Sequence, residues 1–108
     1  MPKQDALQGS LPLLVLKILE RRGPLHGYGI TAQIEAISDL LRVEEGSLYP
    51  ALHRLEESGW IRAEWITTEN NRRARVYKLT PAGRKQLVDE ERRWTSIAAA
   101  IGQVLEQA

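Results

Sequence analysis

Between Gly46 and Arg54 the sequence gathers groups suited to hydrogen bonding at a surface: Gly46, Ser47, Tyr49, Pro50, His53 and Arg54. At 100° per residue they fall on or beside one side of a helix, while Leu48, Ala51, Leu52 and Leu55 fall on the other. The outer side therefore carries hydroxyls, an imidazole and a guanidinium. Such groups can reach the base edges and phosphates of a nucleic-acid groove. A second set, Arg72, Arg73 and Arg75, follows an Asn70-Asn71 turn signal and is suited to phosphate or minor-groove contact. Tyr28, near the start of an earlier helix, can offer its hydroxyl to a phosphate or simply pack at the helix end.

Other chemistries lack their residues. The chain of 108 residues has no cysteine, which removes thiolate catalysis, disulfides and cysteine metal sites. His26 and His53 are its two histidines and stand apart, a poor basis for a metal site. No paired-carboxylate or nucleophile–base arrangement stands out. The glycine-rich stretch LHGYG at 25–29 has neither the preceding long strand nor the Lys-Ser or Lys-Thr of a phosphate loop. No enzyme activity, metal or cofactor is expected.

The elements that must position these groups follow from periodicity and punctuation. Residues 1–9 form a polar, loose arm. Ser10 is placed to cap a helix beginning at Leu11, with Pro12 in its first turn and Gly23-Pro24 after its end. A second helix spans about Tyr28 to Ser38, with Ile30, Ile34 and Ile37 at core spacing. The third starts near Glu45, because Pro50 is tolerated only in the first turns. Gly46 and Ser47 then head it, where N–H groups favour a phosphate. Ser58-Gly59 stops it. Trp60–Thr68 and Arg73–Thr80 are strands of a hairpin that must pack on the helices, since two strands alone are marginal.

Thr80-Pro81 opens a last helix running to about Gln107. Leu87, Trp94 and Ile101 repeat every seven residues, with Ile97 and Val104 at the companion spacing. So long an apolar stripe on so small a protein predicts pairing with a second subunit. The expected organisation is thus an arm at 1–9, a winged helix at 10–80 and a dimerisation helix at 81–108. The fold class is α+β, mainly α. An indole on such a seam usually packs. Across a two-fold axis, however, two Trp94 rings can face each other and leave a flat apolar gap for a planar aromatic ligand. Ile97, Ala98 and Ile101, with Leu14 or Leu11 of the first helix, are its candidate walls.

Composition agrees with a soluble globular domain: 43 % hydrophobic and 27 % charged residues. The net charge of +1 says little, but its distribution says more. Between Glu69 and Asp89 there is no acid, while Arg72, Arg73, Arg75, Lys78, Arg84 and Lys85 all lie inside. The longest apolar run, Leu11 to Leu19, is interrupted by Lys17 and too short to span a bilayer. Residues 1–10 lack the apolar segment of a signal peptide, so a cytoplasmic protein is expected.

The segments HGYGI at 26–30, GSLYPALHRLEESGWI at 46–61 and RRARVYKLTPAGRKQL at 72–87, in this order and spacing, resemble the PadR-like transcriptional regulators. With its single short C-terminal helix, the chain is similar to the small subfamily. The resemblance implies a winged-helix homodimer, assembled largely through the last helix, that binds inverted-repeat operator DNA and usually represses. Some small members take flat aromatic ligands between paired tryptophans at the dimer interface, and Trp94 stands at the matching place. The alternative is a winged-helix module used for protein–protein contact. Tyr49, His53, Arg54 and the basic hairpin weigh against it, because a polar, acidic recognition face would favour that use.

Overall fold

The computed structural model describes residues 9–107. Apart from Gly9, the expected N-terminal arm lies outside them, as does Ala108. The elements run α1 (Leu11–Arg22), β1 (Leu25–His26), α2 (Gly27–Ile37), α3 (Glu45–Glu57), β2 (Ile61–Thr67), β3 (Arg73–Leu79) and α4 (Pro81–Glu106). This is the expected mainly helical α+β winged helix-turn-helix. Its sheet is three-stranded and antiparallel, in the order β1-β3-β2.

Apolar positions at helical spacing make the core. Leu11, Val15, Leu16, Ile18 and Leu19 of α1 are buried, which explains why this helix is apolar around most of its circumference. Ile30 and Ile34 of α2 meet Leu48, Ala51, Leu52 and Leu55 of α3 in the same cluster. Ile61, Tyr77 and Leu87 bring in both long strands and the root of α4. Lys17 of α1 reaches Glu91 of α4 at 3.4 Å and Glu20 at 3.1 Å. The hydrogen bond with Glu20 is the largest influence raising the Lys17 pKa; desolvation opposes it and Glu91 adds to it.

The third helix starts at Glu45 and accommodates Pro50 within its first turns, as expected. It ends in a backbone motif in which the Trp60 N–H reaches the Leu55 carbonyl at 3.1 Å while Gly59 adopts φ 80°. Thr80 caps α4 as its type suggests: its Oγ1 accepts from the Gly83 N–H at 3.0 Å.

Four expectations need correction. Ser10 does not cap α1: it has helical angles (φ −99°, ψ −9°) and no side-chain capping bond, and its carbonyl instead accepts from the Leu14 N–H. Leu25-His26 is not only a turn but a short strand, with Leu25 opposite Tyr77 and His26 opposite Val76. Ile37 is 68 % exposed although Ile34 is buried. The period is right, but α2 ends there, one turn beyond the core, and the chain leaves in extended geometry at Ser38. Both strands of the hairpin are shorter than expected, because Trp60 and Thr80 serve the junctions with α3 and α4.

At that junction α4 meets the chain leaving α3. The Thr80 N–H donates to the Trp60 carbonyl at 3.1 Å, and its hydroxyl donates to the Gly59 carbonyl at 2.7 Å. Gly83 lies so close that a Cβ would overlap the Trp60 carbonyl oxygen and come within 2.8 Å of Leu79 Cδ1. Replacing a helical glycine by alanine ordinarily stabilises by about 0.5–1 kcal/mol. Here overpacking should win, and Gly83→Ala should destabilise by about 1–3 kcal/mol. Urea unfolding at fixed protein concentration measures it, and an unchanged or raised midpoint would contradict the close packing.

Candidate nucleic-acid interface

The period of α3 decides which of its polar groups face outward. With Leu48, Ala51, Leu52 and Leu55 turned into the core, Pro50, His53 and Arg54 are exposed on the far side. His53 Nε2 lies 3.4 Å from Glu57 Oε2, one turn on, and both side chains are largely in solvent. Gly46 and Ser47 stand in the first turn, as expected. The N–H groups of Ser47 and Leu48, however, both donate to the Glu44 carbonyl at 2.9 Å. The Ser47 N–H is therefore engaged, contrary to the expectation that it is open to a phosphate.

Tyr49 occupies a position between the outer face and the wing. Its ring packs over Gly27, where a Cβ would come within 2.8 Å of the Tyr49 hydroxyl. Together with His26, Gly27, Tyr28, Trp65, Arg75 and Tyr77 it lines a cleft of about 460 Å³ between the helices and the hairpin. Tyr28 is 76 % exposed and stands at the start of α2. His26 caps that helix, its Nδ1 accepting from the Gly29 N–H at 2.9 Å, and its ring is stacked 6.3 Å from that of Tyr28. Tyr28 and Tyr49 are thus brought to one site from separate helices.

The wing's chemistry is sorted by the two-residue period of a strand. Ile61 pairs with Leu79, Ala63 with Tyr77, Trp65 with Arg75 and Thr67 with Arg73. These residues share one face of the hairpin. Near its root that face closes on the core, where burial pushes the Tyr77 phenol pKa upward, partly opposed by the Arg75 charge. Further out the same face overhangs, and Trp65 is 55 % exposed. Arg73 and Arg75 both lie over the Trp65 ring, at 4.7 and 5.9 Å from its centroid, in cation–π geometry. Asn71 takes φ 59° in the turn, beside exposed Arg72 and Arg73.

Arg75 departs from the expectation that all three arginines reach outward freely. Its Nη2 donates to both carboxylate oxygens of Glu56 on α3, at 2.9 and 3.1 Å. The residues missed from sequence are thus His26, Glu56, Trp65 and Tyr77. The alternation that puts Arg75 on the face of Tyr77 was their one available signal; the register that brings Glu56 opposite was not encoded locally.

The residues expected to wall a ligand site lie elsewhere, mainly on α4. Beyond Leu87 the helix leaves the core, and Trp94, Ile97, Ile101, Val104 and Leu105 are 47–78 % exposed. Trp94 and Ile97 line a groove of about 300 Å³ with Gly9, Ser10, Leu13, Glu90 and Arg93. Leu13, not Leu14, is the α1 residue at this groove. Leu13 and Leu14 both pack against the core and Leu11 is buried within it, so within one subunit Leu13 is the α1 residue that reaches the groove. Ala98 and Ile101 do not line the groove within one subunit. Glu90 forms its charged edge and accepts from Gln86 at 2.8 Å and Arg93 at 3.2 Å.

Among the described residues, no helix is long and apolar enough to cross a membrane. The architecture also has known counterparts. It superposes on a PadR family transcriptional regulator from Eggerthella lenta with TM-score 0.81 and 29 % identity, covering 95 % of this chain and 88 % of that one. A transcriptional regulator from Clostridium thermocellum gives TM-score 0.82 and 28 % identity, covering 95 % and 97 %. In sequence, the transcriptional regulator Rv3488 of Mycobacterium tuberculosis is 36 % identical over 77 residues, 71 % of this chain and 69 % of that protein. An uncharacterized 37.1 kDa protein in transposon TN4556 of Streptomyces fradiae is 46 % identical over 86 residues. That match takes in 80 % of this chain but only 23 % of the longer relative. Residues 15–89 match the profile of the Transcriptional regulator PadR-like family, and the chain belongs to that family of transcriptional regulators.

Proposed function

We propose that this chain is a cytoplasmic homodimeric repressor that binds an inverted-repeat operator and is released by a planar aromatic ligand. The observation that carries DNA binding is the joint presentation of Tyr49, Pro50, His53 and Arg54 on one helix beside a wing bearing Arg72 and Arg73. In this reading α3 enters the major groove, where Arg54 and His53 meet base edges. Tyr28, Gly46 and Ser47 lie against the flanking backbone. Arg72 and Arg73 take the phosphates or minor groove beyond. Among the described residues no carboxylate pairs with Arg73, which leaves its charge for phosphate.

Binding to the DNA upstream of the chain's own reading frame should weaken as salt rises, because phosphate contacts release counterions. Arg73→Ala should weaken binding to operator and random duplex alike and lower the salt slope by about one. Arg54→Ala should cost about 1–3 kcal/mol on operator and little on random DNA. Anisotropy titrations at several salt concentrations separate them. Equal losses on both DNAs for Arg54→Ala would move it to the phosphates, and no binding at low salt would favour a protein-contact module.

Dimerisation is supported by the apolar stripe that α4 leaves uncovered in one subunit. Symmetric pairing along it sets two recognition helices against half-sites about one or two helical turns apart. Truncation after Asp89 removes the stripe from Trp94 onward while keeping Leu87 in the core. Sedimentation should then show a monomer with much weaker operator binding. A truncated chain that remains dimeric places the interface elsewhere.

The ligand reading rests on Trp94, half exposed beside Ile97 and Leu13. Pairing of two subunits brings a second indole and adds Ala98 and Ile101 as walls. A flat ligand there favours one dimer geometry and so shifts operator affinity. Planar dyes should quench tryptophan fluorescence in the wild type but not in Trp94→Ala, with Trp60 and Trp65 as background. Unchanged quenching and affinity in a dimeric Trp94→Ala would remove the site from this seam.

A further inference from the structure

The ion pair between Glu56 and Arg75 joins two elements that the proposed DNA-binding reading needs in fixed relation. Glu56 belongs to α3, Arg75 to the wing, and one guanidinium nitrogen donates to both carboxylate oxygens. The Glu56 side chain is 27 % exposed and that of Arg75 43 %, so solvent screens the pair only in part. The Arg75 guanidinium also lies 5.8 Å from the Tyr77 ring centroid and 5.9 Å from that of Trp65. It is thus held on several sides: by a carboxylate on the helix and by two rings on the hairpin itself.

Two features of the surroundings make this tie consequential. The root of the wing is secured by Ile61 and Tyr77 in the core and by β1 pairing to Val76 and Tyr77. Outward of the Glu64–Val76 pair, the last that β1 flanks, the hairpin overhangs, and a two-stranded ribbon without packing is marginal. The ion pair reaches α3 at the first residue pair beyond that boundary, Trp65–Arg75. Its charges also cancel where they meet. An unpaired Glu56 carboxylate on a recognition helix would repel phosphates, and an Arg75 engaged by it has little charge left to offer them.

We propose that Arg75 is a positioning residue rather than a DNA ligand, and that its ion pair with Glu56 sets the angle of the wing against α3. The pair thereby fixes how far Arg72 and Arg73 stand from the bases that α3 meets. The proposal rests on the DNA-binding reading for its function, but its structural half is measurable in the free protein.

Charge and positioning make opposite predictions for one variant. Removing the negative charge of Glu56 should by electrostatics alone tighten binding to any DNA. If the pair is a strut, Glu56→Gln should instead loosen operator binding. The experiment compares the full chain with Glu56→Gln, Arg75→Gln and the exchange Glu56→Arg with Arg75→Glu. Each is titrated with operator and random duplex over a salt series, and amide hydrogen exchange is recorded in β2 and β3 without DNA. Thermal melting confirms that each variant is folded. Both single variants should lose about tenfold on operator, within the range for coupled neighbouring residues. They should lose little on random DNA and exchange faster in the outer hairpin. The exchanged pair should recover both properties, a rescue that simple loss of stability does not give.

Tighter binding by Glu56→Gln, with Arg75→Gln weakened on both DNAs and its salt slope lower by about one, would make Arg75 a phosphate ligand and overturn the proposal. Should the wild type bind no DNA, the DNA-binding reading fails by itself. The exchange data still decide the strut: unaltered hairpin exchange in both single variants overturns it, and faster exchange reversed in the exchanged pair supports it.

Discussion

Because Gly83 has no side chain, the first turn of α4 lies directly on the Trp60 carbonyl, and Thr80 stitches the two segments with bonds to Gly59 and Trp60. Three elements meet within this contact: the end of α3, the start of β2 and the start of α4. A larger residue at 83 would lift α4 from the hairpin root and draw Leu87 from the core. The same contact gives the long helix a rigid origin. Any rotation of α4 about its far end must pass through the residues that terminate α3, because no flexible linker lies between them. In the proposed dimer, pairing along α4 would therefore hold the two copies of α3 in defined relation without contacting them.

Rigidity at the junction contrasts with the outer wing. Ile61 and Tyr77 are in the core, yet Trp65, four residues along the strand from Ile61 on the same face, is half exposed. The core is simply too small to cover the full length of the hairpin. What lies beyond it is organised by polar and aromatic contacts instead: Arg73 and Arg75 on Trp65, and Arg75 on Glu56. Such contacts are weaker and more exposed to salt than apolar burial. The outer wing is thus held against α3 by exposed polar and aromatic contacts, whereas α3 itself is held by apolar burial.

Features fixed by local rules were legible in the sequence. The 3.6-residue apolar period located four helices, Thr80-Pro81 marked the start of α4, and Pro50 limited how far upstream α3 could begin. The failures share a physical origin in tertiary partners. β1 is two residues long and exists because β3 lies beside it; such a segment has no period of its own. His26 caps α2 although histidine is not among the favoured capping residues, and its Nδ1 does so because the short strand delivers it there. Ser10 is a favoured capping type and caps nothing, since the chain enters α1 already in helical geometry. Ile37 keeps the period of Ile30 and Ile34 but outruns the core.

The candidate site divides along the same line. The outward set on α3 was visible because core residues on a helix fix the direction of all the others. The partner of Arg75 was not, because Glu56 is 19 residues away and meets it only through the hairpin register. That register has a consequence for charge. Four of the six basic residues between Glu69 and Asp89 lie on the hairpin, yet the face shared with Tyr77 holds Arg75 against Glu56, and on the opposite face Lys78 stands 3.8 Å from Glu64. Of the six, Arg72 and Arg73 at the hairpin tip and Arg84 and Lys85 on α4 have no carboxylate partner among the described residues. A net charge of +1 is compatible with nucleic-acid binding on this basis, because the field at a phosphate is set by the nearest unpaired charges and not by the sum over the chain.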